Sequence, residues 1–187
     1  MMSISQILGI QELIASGQSD SLTKSLADLS DPQEEQLSQL MLHLLKTCKA
    51  NDENSQDCLR TLLRFHPNPD HPEPNTSRSL LMIAVQKGDI QMTHILLNHN
   101  ADVNSLDAQG QNALFYAVQS HSENVDIFTH LIDHGCDVDC QSQALDTLLT
   151  RCLDREYYLL AETVVTHSTK HINTARKTGD TPLHLAV

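Results

Sequence analysis

The residues with the most obvious chemical potential are cysteines and histidines. Cys136 and Cys140 lie near each other, and the chain holds 11 histidines, so zinc binding is the first hypothesis. Structural zinc sites usually carry paired, closely spaced Cys or His ligands, a pattern that this sequence does not show. We therefore expect no metal site and no cofactor.

The acidic and nucleophilic residues also fall short of an active site. Asp133, Asp137 and Asp139 form an acidic cluster, but alternating polar residues of this kind are typical of a solvated hairpin. The sequence contains no Gly-x-Ser-x-Gly motif and no cysteine in a motif with a fixed histidine. Its six glycines are too scattered to form a phosphate-binding loop. We expect no catalytic residues.

Charge and cysteine content restrict the partner and the compartment. The chain has 12 basic and 24 acidic residues, a net charge of −12, without a basic stripe. Nucleic acid and anionic membranes both attract clustered Lys and Arg, so we expect a protein partner instead. Five cysteines, an odd number, favour reduced thiols in a cytoplasmic or nuclear protein over a disulfide framework. We expect that protein to be a monomer.

An apolar triplet with helical spacing recurs along the chain. Ala84, Ala117, Cys152 and Ala186 anchor four copies, separated by 33, 35 and 34 residues. Apolar residues stand three positions before and one position after each anchor, which places all three on one buried helix face. The copies are Leu81-Ala84-Val85, Leu114-Ala117-Val118, Leu149-Cys152-Leu153 and Leu183-Ala186-Val187.

A second helix and a hairpin complete each copy. The apolar residues between Met92 and Leu97 indicate a second helix, and residues 101–104 then form a short extended segment. Asn100 and Gly135 precede such segments and predict left-handed helix ends. Gly110 lies six residues past Asn104, which fits a hairpin turn. We call the hairpin that joins one helix pair to the next a finger.

Two segments give these repeats a specific resemblance. Residues 181–186 read Thr-Pro-Leu-His-Leu-Ala, which resembles the helix-opening signature of the ankyrin repeat, and residues 88–104 resemble the second half of that repeat. The resemblance implies an all-α fold, an ankyrin-repeat solenoid of stacked helix pairs with short β-hairpin fingers, preceded by an N-terminal helical cap. We expect units at about 76–106, 107–140 and 141–174, and an incomplete one at 175–187.

Two features of the C-terminal half depart from a regular array. Thr169 stands where Asn100 and Gly135 end helices, and Leu145 replaces the turn glycine, so we expect distorted turns in the third unit. The sequence stops at Val187, before a second helix can complete the last pair. We therefore expect a fragment whose final helix frays.

The N-terminal third is more divergent. Residues 1–30 suggest two short helices, and Asp31-Pro32-Gln33-Glu34 resembles a capped helix start. The stripe from Leu37 to Cys48, a further helix and the proline-rich residues 66–74 follow. Residues 31–75 are therefore either a divergent first repeat or a capping helical hairpin.

The resemblance implies a protein–protein interaction module, a scaffold or adaptor without catalytic activity of its own. The alternative is the adaptor segment of a longer multidomain enzyme, such as a kinase, an acyltransferase or a ubiquitin ligase component. In the family, finger and turn residues project toward the partner. The corresponding residues are Ser105, Leu106, Asp107, Gln109, Gln111, Gln141, Ser142, Thr174, Arg176 and Lys177.

The resemblance also suggests a modification. Ankyrin fingers of the type found at residues 97–104 resemble substrates of an asparaginyl hydroxylase, which would make Asn104 and Asn173 the targets. The competing interpretation is a structural asparagine that bonds the turn backbone.

Overall fold

The structure of the protein is a computed structural model that describes residues 3–28, 34–120, 123–168, 170 and 172–186. Turns join eleven α-helices within those residues. They are α1 (Ile4–Ala15), α2 (Ser19–Ala27), α3 (Glu34–Thr47), α4 (Glu53–Leu63), α5 (Leu80–Gln86), α6 (Ile90–Asn98), α7 (Ala113–Gln119), α8 (Val125–Asp133), α9 (Leu148–Asp154), α10 (Tyr158–His167) and α11 (Pro182–Leu185).

The helices from α3 onward form two rows. The first helices α3, α5, α7, α9 and α11 each contact the next, and the second helices α4, α6, α8 and α10 do the same. Anchors Ala84, Ala117 and Cys152 are buried in a continuous apolar core. The predicted all-α solenoid of stacked helix pairs is confirmed.

Local capping explains where the short first helices begin. The side chains of Ser79, Asn112 and Thr147 accept the backbone N–H groups of Met82, Leu114 and Thr150, respectively. Such a cap contributes about 1 kcal/mol, which matters for helices of only seven residues. The last helix begins at Pro182, as predicted, and His184 Nδ1 accepts the N–H of Thr181 at 3.2 Å.

The fingers comprise residues 68–78, 102–111, 137–146 and 172–180. Asn100 and Gly135 precede two of them with φ angles of 61° and 84°, which confirms the predicted left-handed helix ends. The hairpins are tight turns. The one β-bridge among the described residues joins Gln141 to Thr147, at the base of the third finger.

The expected distortion of the third finger is wrong at Leu145. This residue has a φ of 61°, close to the 73° of Gly110 in the second finger. The Ser142 N–H bonds the Asp146 carbonyl at 3.0 Å, as Asp107 bonds Gln111 in the second finger. The backbone therefore keeps the turn that glycine makes, with leucine in a left-handed conformation. The other expected site of distortion, Thr169, lies outside the described residues.

The N-terminal helices pack on the first stacked pair. Helix α1 contacts α3 and α4, and α2 contacts α4. Leu22 and Leu26 are fully buried, whereas Leu8 is exposed. The predicted helix start at Asp31, Pro32 and Gln33 lies outside the described residues, and α3 is described from Glu34 onward.

The last described helix, α11, is less covered than the corresponding helix α5. Leu183 is 74% exposed, whereas Leu81 at the corresponding position is 1% exposed because α7 packs against its helix. Val187, the last residue of the fourth triplet, lies outside the described residues.

None of the described helices is both long and apolar enough to cross a membrane.

Candidate partner-binding surface

Backbone-directed side chains hold the fingers in a fixed row. Asp70 Oδ1 accepts the N–H of Asp102 at 2.8 Å, which joins the first finger to the second. Asn104 repeats the contact one unit later, because its Oδ1 accepts the N–H of Asp137 at 2.8 Å and its Nδ2 donates to the Gly135 carbonyl at 3.0 Å. Asp139 then accepts the hydroxyl of Ser168 at 2.5 Å.

The turns at the other end of the fingers are joined as well. The Ala108 N–H donates to the carbonyl of Thr76 at 2.9 Å, and the Gln143 N–H donates to the carbonyl of Gln109 at 2.8 Å. Gln143 also donates its side-chain amide to the carbonyl of Ala108 at 3.1 Å. The first three fingers are therefore bonded at both ends. A surface ordered in this way loses little conformational entropy on binding.

The ten residues predicted to contact a partner fall into three groups. Leu106, Gln109 and Lys177 are exposed, and Ser105, Gln141, Thr174 and Arg176 are partly exposed. Asp107, Gln111 and Ser142 are buried. The side chains of the last group are therefore turned into the fold and not toward a partner.

Asp107 shows why these residues are buried. Its Oδ1 accepts the N–H groups of Gln109 and Gln111, both at 2.8 Å, and its Oδ2 accepts the hydroxyl of Tyr116 at 2.7 Å. Burial raises the pKa of Tyr116, and the hydrogen bond to Asp107 raises it further. The carboxylate thus organises its own turn and attaches it to α7.

Gln111 and Ser142 are used in the same way. Gln111 Oε1 accepts the side-chain amide of Gln119, on α7, at 3.0 Å. Ser142 Oγ accepts the N–H groups of Ala144 and Asp146, both at 3.2 Å. These side chains shape the finger and present little surface to a partner.

Arg176 lies within a network of charged groups. It donates to both carboxylate oxygens of Asp154, at the end of α9, with the NH1 contact at 3.1 Å. Its Nε lies 3.1 Å from Asp146 Oδ1 but is not aligned to donate a hydrogen bond. Arg151 pairs with the same Asp146 at 3.1 Å. Arg176 therefore attaches the fourth finger to the third unit.

Sequence reasoning missed the polar residues that end the first helices. Gln86 accepts a hydrogen bond from Arg78 at 3.0 Å, Gln119 donates to Gln111, and Asp154 accepts from Arg176. The surface formed by the fingers and these helix ends is here called the finger surface. The sequence does carry a pattern that marks Gln86, Gln119 and Asp154, because each stands two positions beyond an anchor of the repeated triplet.

A buried carboxylate anchors the first finger. Glu73 lies 2.6 Å from Arg78 Nε and 2.5 Å from Lys46 Nζ, and it accepts the hydroxyl of Thr76. The hydrogen bond from Arg78 is the largest cause that lowers the pKa of Glu73 to about 2. Since Lys46 belongs to α3, this network joins the first helix row to the first finger.

The two asparagines considered for hydroxylation are both exposed. The amide of Asn104 bonds the backbone of the next finger as donor and as acceptor, so an enzyme that reads an extended segment would have to break both bonds. Modification of Asn104 and Asn173 stays a prediction.

The cysteines are free thiols, and all five lie among the described residues. Cys136 and Cys152 are small buried core residues, and burial raises the pKa of each to about 12. Thiols of this kind are poor nucleophiles and poor metal ligands at neutral pH. Among the described side chains, no group of three or more His, Cys, Asp or Glu residues is arranged to hold a metal ion.

The comparison with protein families agrees with this architecture. The family described as ankyrin repeats, in three copies, matches residues 44–142, which are 99 of the 187 residues. The match begins within α3 and ends in the third finger, so it includes the first two fingers in full and the hydrogen bonds that join them. The chain belongs to the ankyrin-repeat family.

Proposed function

We propose that the chain is a protein–protein interaction module without catalytic activity, and that it binds a protein partner through the finger surface. Ankyrin repeats are generally protein-interaction modules. The observation that carries the proposal is the bonded finger row, in which consecutive turns are held at fixed spacing while Leu106, Gln109 and Lys177 remain exposed.

Seven of the ten originally predicted residues remain candidates for direct contact. They are Ser105, Leu106, Gln109, Gln141, Thr174, Arg176 and Lys177. Gln86 and Gln119 join them because each is only partly buried and bonds a finger of its own unit. Asp107, Gln111 and Ser142 act indirectly, by fixing the turn that presents their neighbours.

We infer that the binding surface starts before residue 76 and that residues 31–75 are a first repeat. Asn68 accepts the N–H of Asp70 at 2.9 Å, and Asp102 accepts the N–H of Asn104 at 2.9 Å in the next finger. The two fingers therefore share the same Asx turn. The family match, which begins at residue 44, supports the same division.

The proposal includes a monomer in a reducing compartment, the cytoplasm or the nucleus, where the five free thiols would be stable. The alternative, an adaptor segment within a longer enzyme, uses the same finger surface. In the alternative, the bound partner would be brought to the catalytic part of the longer enzyme. Both versions therefore predict the same binding surface.

The proposal is tested by capturing partners on the immobilised chain and comparing two variants. The first changes Leu106, Gln109 and Lys177 to Ser, Ala and Ala. The second changes Gln91, Asp126 and Glu162, exposed residues of the second helices, to Ala. We expect specific partners to be lost from the first variant and kept by the second. Retention by the first together with loss from the second would contradict the proposal.

A further inference from the structure

Three histidine rings contact one another where two second helices meet. The ring centroids of His94, on α6, and His130, on α8, lie 3.7 Å apart with their planes at 48°. The His134 ring lies 4.3 Å from His130 at 62°, in an edge contact. These three residues, the histidine cluster, lie on the helix row away from the fingers and have no part in the proposed binding.

His130 is the central member, since its ring contacts both of the others. Its Nε2 atom is buried and has no hydrogen-bond partner. His130 of α8 corresponds in position to Ile95 of α6. Each stands six residues after the residue that caps its helix, Asn124 for α8 and Asp89 for α6. A titratable ring thus occupies a position that is apolar in the neighbouring unit.

The environment of His130 favours the neutral ring. Burial lowers the pKa of His130 most, and the neighbouring His94 and His134 lower it further. Asp133 acts in the opposite direction but is exposed. Positive charge at the buried Nε2 would therefore find no hydrogen-bond partner, and Asp133 would compensate it only in part.

A hydrogen bond holds His134 beside His130. Its Nδ1 lies 2.9 Å from the His130 carbonyl, so in the neutral ring Nδ1–H donates to that carbonyl. His134 is exposed at the C-terminal cap of α8.

None of the titratable groups on α7 and α10, the other helices packed against α8, shifts the pKa of His130. Helix α7 carries Tyr116, whose hydroxyl is bonded to Asp107 in the finger row. On the α10 side, Glu162 and His167 line a groove with Val125 and Thr129. Asp126 of α8 and His99, at the C-terminal cap of α6, are exposed. Asp89, at the N-terminal cap of α6, is buried and accepts the N–H of Met92 at 2.9 Å.

We propose that the histidine cluster is a proton-sensitive contact between the ankyrin unit of α5 and α6 and the ankyrin unit of α7 and α8. Neutral rings hold α6 against α8, and protonation of His130 separates the two helices. The unfolded chain binds protons to His130 near the ordinary value of 6.5, whereas the folded chain resists them. This contribution to stability is complete above that pH and is lost as the pH falls below it.

The test compares the intact chain with His130→Ile, which gives α8 the residue type that α6 has at the corresponding position, Ile95. His167→Gln is the matched control. The His167 ring lies 2.8 Å from the Thr163 carbonyl, as the His134 ring lies near the His130 carbonyl, but His167 has no ring neighbour among the described residues. Urea unfolding is measured between about pH 7.5 and 5.5, the histidine range, with a chelator present to exclude bound metals.

We expect acidification to raise the unfolding equilibrium constant severalfold more in the intact chain and in His167→Gln than in His130→Ile. Equal pH dependence in the intact chain and His130→Ile would overturn the proposal. The NMR titration of the His130 ring in the intact chain gives a second test that needs no variant. We expect the His130 ring to titrate below the range of free histidine, and the amides of α6 and α8 to exchange faster at acid pH. Titration of His130 at or above that range would also overturn the proposal.

Discussion

The carboxylate of Asp70 accepts the backbone N–H of Asp102 at 2.8 Å, and the amide oxygen of Asn104 makes the same bond to Asp137 one unit later. A carboxylate and an amide therefore join consecutive fingers through the same kind of hydrogen bond. The carboxylate carries a cost that the amide lacks, because burial raises the pKa of Asp70.

This relationship predicts the effects of two substitutions. Asp70→Ala removes the acceptor and should destabilise the chain by about 1 kcal/mol. Asp70→Asn keeps the acceptor without the charge, so it should be neutral or stabilising at pH 7. The sign follows from the raised pKa, since a carboxyl that holds its proton more tightly when folded loses stability as the pH rises. Urea unfolding of both variants checks this, and equal losses in the two would contradict it.

The Glu73 network predicts an acid-sensitive contribution with the opposite sign. Because the pKa of Glu73 is lowered to about 2, its contribution is present above the ordinary value of 4.5 and is lost as the pH falls toward 2. Glu73→Gln should cost about 2 kcal/mol at neutral pH, since Arg78 and Lys46 lose a buried charged partner. It should also flatten the stability profile below pH 4.5.

Asp57→Asn is the control for that prediction. Asp57 and Arg60 form an ion pair at 2.8 Å, but both side chains are about half exposed, at 51% and 45%. Exposed pairs contribute little, so this variant should unfold like the parent chain. A larger loss in Asp57→Asn than in Glu73→Gln would show that burial of the network is not what matters.

The left-handed conformation of Leu145 predicts a stabilising substitution. A non-glycine residue in this region costs about 1 to 2 kcal/mol, while glycine costs about 0.5 to 1 kcal/mol of extra chain entropy. Leu145→Gly should therefore raise stability by a few tenths to about 1 kcal/mol. Leu106→Gly, at an exposed leucine without a positive φ, should not be stabilising. If both variants lose stability equally in urea, the strain at Leu145 is not significant.

The exposed end of the array predicts uneven local stability. Leu183 is 74% exposed and α11 is only four residues long, so few apolar contacts resist its opening. Native-state hydrogen exchange should be fast from Thr181 to Ala186 and slow in α5 and α7. Equal protection of α11 and α5 in a monomer would contradict the expectation that this end frays.

Sequence reasoning recovered the features that depend on neighbouring residues. The triplet around each anchor, the left-handed Asn100 and Gly135, and the start of α11 at Pro182 are set by helix period and by local backbone preference. The closure of the third turn was not recovered, because a preference of about 1 to 2 kcal/mol at Leu145 is smaller than the sum of the contacts that fix the finger.

The finger surface was recovered only in part for a similar reason. Asp107 and Gln111 are predicted from the resemblance to face a partner, but Tyr116 and Gln119 bond them when the finger folds onto α7. The burial of Glu73 depends on Lys46, which comes from another helix of the stack. Contacts of this kind follow from tertiary packing and leave no local pattern.

The central claim is that a protein partner lies on the finger surface, and hydrogen exchange of the chain with and without a captured partner tests it most directly. The result predicted is slower exchange in the finger residues 105–111 and 141–146 and near Gln119, with no change in α6, α8 and α10. Protection confined to the second helices, with the fingers exchanging as in the free chain, would contradict the account.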